Sequence, residues 1–226
     1  MDKPLSTQYV NYLKDLLSGD LGRSLRTKEL ITKELSSYFP ATLELVLVGF
    51  LFALFVGIPL GIYSAKMNGK LLDHVSRFFS IGAVSLPTFW LAMVFQLVFY
   101  RILNWLPLGG RISINASLIY EVPNITGMLI TDCILTGSWD LLGDAFMHII
   151  MPGFTIALYP IGLVARMTRS ALLEILNEDY ITASRSYGIR EGKVLWGYAL
   201  KNSLGSTATV VALSMGYSLT NTFLIE

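Results

Sequence analysis

Apolar residues run in four long stretches, roughly residues 41–64, 78–103, 146–167 and 204–225, each nearly free of charge. A bilayer core about 30 Å thick takes about 20 apolar residues in helical form, so each stretch predicts a membrane span. Ahead of them, Tyr9, Leu13, Leu16 and Leu17 recur at helical spacing and end at Ser18-Gly19-Asp20, which predicts a short amphipathic helix. Ile31 to Phe39 predicts a second short helix, stopped before Pro40. The first span holds one charge, Glu44, near an end where it reaches the interface. Its Gly57 and Gly61 have the G-x-x-x-G spacing that lets helices approach closely, and Pro59 predicts a bend. The second span contains Ser85-Leu86-Pro87-Thr88 and a lone polar Gln96, and the third contains Pro152 and Pro160. In the fourth, Ala208, Ala212 and Gly216 form another close-packing edge. Residues 122–135 are apolar but too short to span, and predict a segment lying on the membrane or packed on the bundle.

Composition agrees. Apolar residues make up 53% of the 226 and charged residues 15%, against about 25% charged in a soluble domain. A net charge of +1 gives no field for nucleic acid. The single Cys133 allows no intrachain disulfide, and His74 and His148 are far apart, so no metal or cofactor is expected. No G-x-S-x-G, H-E-x-x-H or P-loop pattern occurs. Glu178 and Asp179 are adjacent and point apart on a helix, unlike an acid–base pair. Catalytic residues are therefore not expected.

Lysine and arginine placement sets the orientation. Lys66, Lys70 and Arg77 follow the first span; Arg166, Arg169, Arg185, Arg190, Lys193 and Lys201 follow the third. The long loop between them counts only Arg101 and Arg111, with Glu121, Asp132, Asp140 and Asp144. The first and third loops are expected in the cytoplasm, and the long loop and residues 1–40 outside. The outer segment nevertheless carries Lys3, Lys14, Arg23, Arg26, Lys28 and Lys33, and Glu226 closes a span with no following loop. Both features predict a chain short at both ends, with an earlier span missing.

Between the third and fourth spans lies a polar island, residues 168–203. Asp179 is expected to cap a helix that begins at Tyr180, and Gly188 to end it. Tyr180, Ala183, Ser184 and Tyr187 then share one face, with Arg185, Arg190, Glu191 and Lys193 around it. Such a helix is either a solvated loop helix or a docking face.

The island resembles the EAA loop of binding-protein-dependent ABC importer permeases. Ala183, Gly188 and Leu200 match that pattern, whereas Thr182, Tyr198 and Lys201 stand where it has glutamate, isoleucine and proline. The flanking runs carry more of the likeness: residues 148–204 with Thr168-Arg169-Ser170 and Glu178-Asp179-Tyr180, and also Gly19-Asp20-Leu21-Gly22-Arg23-Ser24, Pro40-Ala41-Thr42-Leu43-Glu44-Leu45 and Leu106-Pro107-Leu108-Gly109-Gly110-Arg111. Through these the chain resembles the dipeptide/oligopeptide/nickel permease group, most closely the first of its two permeases.

The resemblance implies an all-α polytopic bundle, the transmembrane domain of a type I ABC importer, with four of six spans visible in residues 41–226. It implies a permease for peptides or nickel chelates with four kinds of partner: a second permease, two P-loop ATPases, an extracytoplasmic binding protein and membrane lipid. Asp179, Tyr180, Ala183, Ser184, Arg185, Tyr187 and Gly188 would form the ATPase-coupling loop. Ser85, Gln96, Thr209 and Ser214 are mid-span polar residues that either line a pore or bond within the bundle. A secondary transporter or channel, or a scaffold recruiting a cytoplasmic partner, are the competing classes.

Overall fold

Residues 4–222 are described by a computed structural model and are helical throughout apart from turns, loops and one isolated antiparallel bridge, Arg23 to Leu30. Helix α1 (Leu5–Leu17) forms where its periodicity predicts, and none of its residues is buried. Pro40 does not end the next helix: α2 (Ile31–Phe52) runs through it. Proline removes one N–H and crowds the carbonyl four residues back, but here that residue, Ser36, is exposed, so its carbonyl can stay hydrated. α2 continues through a π-helical turn, Ala53–Gly57, into α3 (Ile58–Lys66), making one helix of 36 residues. The widened turn lies just before Pro59, the position where a regular helix lacks an N–H.

The expected second span is not straight, and it begins earlier than residue 78. α4 (Leu71–Ser85) starts inside the expected basic loop, and α5 (Thr88–Phe95) continues in a π-helical segment, Gln96–Ile102. The two limbs meet at 106°. The bend falls at Leu86-Pro87, because the residue before a proline is forced out of the helical region; Leu86 has φ −86° and ψ 137°. Short helices α6 (Ile114–Ile119) and α7 (Leu129–Thr136) follow, and then α8 (Trp139–Ile175), 37 residues that pass through both Pro152 and Pro160. The chain ends in α9 (Asp179–Ser186), α10 (Glu191–Lys193), a π-helical turn Val194–Ala199, and α11 (Leu200–Thr222).

α8 is the axis of the bundle. Gly49, Ala53, Gly57 and Gly61 recur every four residues and face it. A Cβ on Gly61 would stand 2.6 Å from Thr168 Cβ and 2.7 Å from the Ala165 carbonyl, so only glycine lets the backbones come this close. On another side of α8, a Cβ on Gly162 would meet the Ser80 carbonyl of α4 at 2.8 Å. The expected G-x-x-x-G contact is therefore one part of a longer seam.

Residues 31–66 and α8 are each long and apolar enough to cross a membrane, and α4 with α5 would make a third crossing if the bent pair counts as one span. α11 does not reach that apolarity over its described residues, so the fourth expected span lacks this support; residues 223–225 lie outside the described part. Its hydroxyls bond back to their own helix, as Ser214 does to the Val211 carbonyl and Thr207 to that of Ser203. α11 packs along α8, with the Tyr159 and Tyr217 rings 4.5 Å apart.

Candidate functional site

α9 is held at one end of α8 by a single apolar anchor. Ile181 is wholly buried among Ile62, Ala65, Leu172, Val194, Leu195 and Ala199. With Ile181 turned inward, Ala183, Arg185 and Tyr187 of the following turns face outward, and Tyr187 is 85% exposed. Tyr180 is less free: its hydroxyl accepts a 2.7 Å hydrogen bond from Asn202 Nδ2 at the start of α11. Ser184 is half-buried, and its hydroxyl donates to the Tyr180 carbonyl at 2.7 Å. The face of Tyr180, Ala183, Ser184 and Tyr187 thus exists as a shallow patch with a small centre and aromatic ends.

Its ends differ by one residue from expectation. Glu178, not Asp179, is the N-cap, with extended backbone (φ −71°, ψ 147°) and no side-chain cap bond. Asp179 occupies the first turn, where a carboxylate suits the helix dipole. Tyr187 is the C-cap, and Gly188 follows with φ +74°, the left-handed turn expected of it. A Cβ at Gly188 would meet nothing within 4 Å, so the requirement there is conformational and not steric. Arg185 makes two bonds to Glu191, Nε to Oε2 at 3.2 Å and a terminal nitrogen to Oε1 at 2.8 Å. The guanidinium holds the Glu191 carboxyl below its usual range, and the carboxylate raises Arg185 in turn. This fork ties α9 to α10.

The same end of α8 carries a buried ion pair that sequence reasoning missed. Asp73, in the first turn of α4, is wholly buried. Its Oδ1 accepts from Ser64 Oγ at 2.7 Å and Arg169 Nε at 2.6 Å; its Oδ2 accepts from the Gly69 N–H at 3.0 Å and Arg169 at 2.9 Å. Arg169 also donates to Asn68 Oδ1 at 2.9 Å. The α3–α4 corner is thereby clamped to the last two turns of α8. Thr168 Oγ1, beside this clamp, is buried without a hydrogen-bond partner among the described residues. The available signal was one acid, Asp73, among the basic residues Lys66, Lys70 and Arg77.

The opposite end of α8 carries a second polar cluster. Glu44, expected near an interface, is buried within the protein. Its Oε2 accepts from Arg111 at 2.8 Å and the Leu129 N–H at 3.1 Å, and its Oε1 from the Ile130 N–H at 2.6 Å. An acid on α2 thus caps α7, which is itself packed on α8 through Leu129, Cys133, Leu141 and Ala145. Of the two expectations for residues 122–135, packing on the bundle holds. Asp132 gathers the loop before α7, accepting from the N–H groups of Ile125, Thr126 and Gly127 and from Thr126 Oγ1. Burial alone would raise its carboxyl, but these bonds outweigh burial and hold it below its usual range. Burial pushes the Cys133 thiol up.

Beside Glu44 and Arg111 lies a cavity of about 400 Å³ between α2, α5, α8 and residues 108–111, with Gln96 and His148 on its wall. Of the four mid-span polar residues, only Gln96 lines it. Ser85 is exposed at the α4–α5 break, Thr209 is exposed and bonds to the Gly205 carbonyl, and Ser214 is buried. The four are not brought together.

Known proteins resemble the whole chain. It is 40% identical over 226 residues to the probable D,D-dipeptide transport system permease protein DdpB of Escherichia coli K12, covering all of this chain and 66% of that protein. Its identity is 38% to the dipeptide transport system permease protein DppB of Alkalihalophilus pseudofirmus, over all of this chain and 67% of that protein. It is 37% to the di/tripeptide transport system permease protein DppB of Pseudomonas aeruginosa, over all of this chain and 66% of that protein. The chain thus spans about two thirds of the length of these relatives. The family described as the binding-protein-dependent transport system inner membrane component matches residues 57–226, which include α8, the exposed patch on α9 and all of α11. The chain belongs to that family, and it is an inner-membrane protein with more than one spanning helix.

Proposed function

We propose that the chain is a permease subunit of an ATP-driven importer of short peptides, coupled to a separate ATPase through α9. One observation carries the reading: α9 is a short helix anchored on one side by Ile181, open on the other at Ala183 and Tyr187, and mounted on the longest helix of the bundle. A small centre lets a partner approach the backbone, and a tyrosine supplies area with a polar tip. The peptide cargo is supported by the names of the relatives, which are permeases for D,D-dipeptides, dipeptides and di/tripeptides.

On this reading residues 41–226 form the transmembrane domain, residues 168–203 face the cytoplasm and the segment up to residue 40 lies outside. A second permease completes the path, two ATPases dock on α9, and an extracytoplasmic binding protein delivers the peptide. Closure of the ATPases displaces α9. The Arg185–Glu191 fork and the Asp73–Arg169 clamp carry that displacement into α10 and α4.

The test is uptake of a labelled dipeptide into proteoliposomes that hold the permeases and ATPases, with binding protein supplied. ATP-dependent accumulation is expected. Accumulation that proceeds without ATP would favour a secondary transporter or channel, and its absence with every peptide would leave a scaffold.

A further inference from the structure

The geometry points to the cavity between α2, α5, α8 and residues 108–111 as a binding site for a short zwitterionic peptide, with Arg111 taking the carboxylate and His148 and Gln96 taking the amino and amide groups. Its volume, about 400 Å³, falls within the range of about 300–1,000 Å³ that small-molecule sites occupy. The wall is largely apolar, from Leu45, Ala92, Ile149 and Pro152, and a few polar groups converge on it.

Two of those groups have hydrogen-bonding capacity that the protein does not use. The Gln96 carboxamide is half-buried and has no protein partner among the described residues. His148 is 7% exposed, and its Nδ1 lies 2.8 Å from the Asp144 carbonyl. A carbonyl only accepts, so Nδ1 donates to it, with the Asp144 carboxylate 3.7 Å away, and Nε2 makes no hydrogen bond to the described residues. Leaving a donor–acceptor amide and an imidazole nitrogen unpaired in an apolar wall is costly unless water or a ligand meets them.

The charges match the same ligand. Arg111 stands at the rim, 43% exposed, and commits one terminal nitrogen to Glu44 and the Gly127 carbonyl. Its remaining donors are open to a carboxylate. Glu44, 2.8 Å from it, makes the wall neutral overall. A zwitterionic peptide is likewise neutral, with an anionic end for Arg111 and a cationic end for the acceptors near Glu44. A fully anionic or cationic solute meets one partner and one repulsion. This assignment rests on the peptide-importer reading and adds a place where the cargo is held within the bundle.

The test is protection of a cysteine at position 96. Cys133, the chain's one native cysteine, is wholly buried and is first replaced by alanine. The Gln96→Cys variant in nanodiscs is then alkylated by a maleimide in the presence of Ala-Ala, Ala-Ala amide or no peptide. Slowing of about fivefold or more by Ala-Ala, with clearly weaker slowing by the amide, is the expected result. Equal slowing by both removes Arg111 from the site and overturns the assignment as stated. A rate unaffected by peptide overturns it as well, and if that rate is slow throughout, lipid or another helix fills the space. Peptide uptake by the assembled transporter without protection at position 96 sinks the cavity and leaves the importer reading intact. Protection without ATP-dependent uptake supports the cavity and sinks the importer reading.

Discussion

Asp73 and Arg169 are 96 positions apart in the chain and meet through two hydrogen bonds, of 2.6 and 2.9 Å. The Asp73 side chain is 1% exposed and that of Arg169 19%. Such a pair contributes geometry more than net stability, because desolvation offsets much of the attraction. Breaking it is another matter, since the surviving charge stays buried.

With Arg77 still 3.7 Å from Asp73 but half exposed, Arg169→Ala is expected to destabilise the bundle by about 3 kcal/mol, the low end for a broken buried pair. Arg169→Lys retains the charge but loses the two-point geometry, so its loss should be smaller. Thermal unfolding of the purified variants in detergent checks this. A melting temperature unchanged in Arg169→Ala would falsify the clamp.

Gly188 tests the α9 turn. At φ +74°, most residues with a Cβ cost about 1–2 kcal/mol, whereas asparagine and aspartate both tolerate the left-handed region and differ there by the charge that aspartate adds to the docking turn. Gly188→Asp is expected to leave the protein in the membrane but uncouple ATP hydrolysis from uptake. Gly188→Asn should retain most transport. Membrane content, ATPase rate and peptide uptake are measured side by side; unchanged uptake in Gly188→Asp removes the coupling role.

The Arg185–Glu191 fork has a pH signature. The Glu191 carboxyl is lowered from 4.5 in the folded chain, so its stabilisation is complete above that value and is lost as pH falls through the folded value. Exposure keeps the effect modest, because both side chains are more than 40% accessible. Hydrogen exchange over residues 185–193, corrected for intrinsic rates, should accelerate below about pH 4.5. Glu191→Gln should be fast at neutral pH already. Equal protection in both proteins would show that the fork holds nothing.

The helix seam separates two glycine substitutions that look alike in sequence. Gly61→Ala pushes a methyl to 2.6 Å from Thr168 Cβ and 2.7 Å from a backbone carbonyl, whereas Gly82→Ala meets nothing within 4 Å. Overpacking of this kind costs about 1–3 kcal/mol. Gly61→Ala is expected to lower the melting temperature and Gly82→Ala to leave it or raise it slightly. Similar melting behaviour in the two variants would mean that α3 and α8 can move apart freely.

The residues of α9 were legible beforehand because their signals are local. Gly188 ends the helix by its own backbone preference, and helical spacing places Ala183 and Tyr187 on one face. The start moved from Asp179 to Glu178 because neither side chain makes a cap bond that would decide it. Pro40 misled in the opposite direction: a local stop signal was overridden where the freed carbonyl belongs to an exposed residue. Pro87 was expected inside one continuous span; instead the chain turns there by 106°, an angle that depends on what each limb packs against.

By itself the sequence determined that the chain is a membrane helix bundle, where its main apolar runs lie, that residues 57 and 61 are small enough for close packing, and that a short polar helix ends at Gly188. These follow from composition, periodicity and backbone preference, which act over a few residues. Only the tertiary structure decided the partners of the charges. Glu44 reaches Arg111 across 67 positions, and Asp73 reaches Arg169 across 96. No spacing rule joins such pairs. They meet because the glycine seam brings α3 against α8, and because the start of α7 packs against Glu44 in the middle of α2. The same packing put Gln96 and His148 on one cavity wall and left Ser85, Thr209 and Ser214 elsewhere.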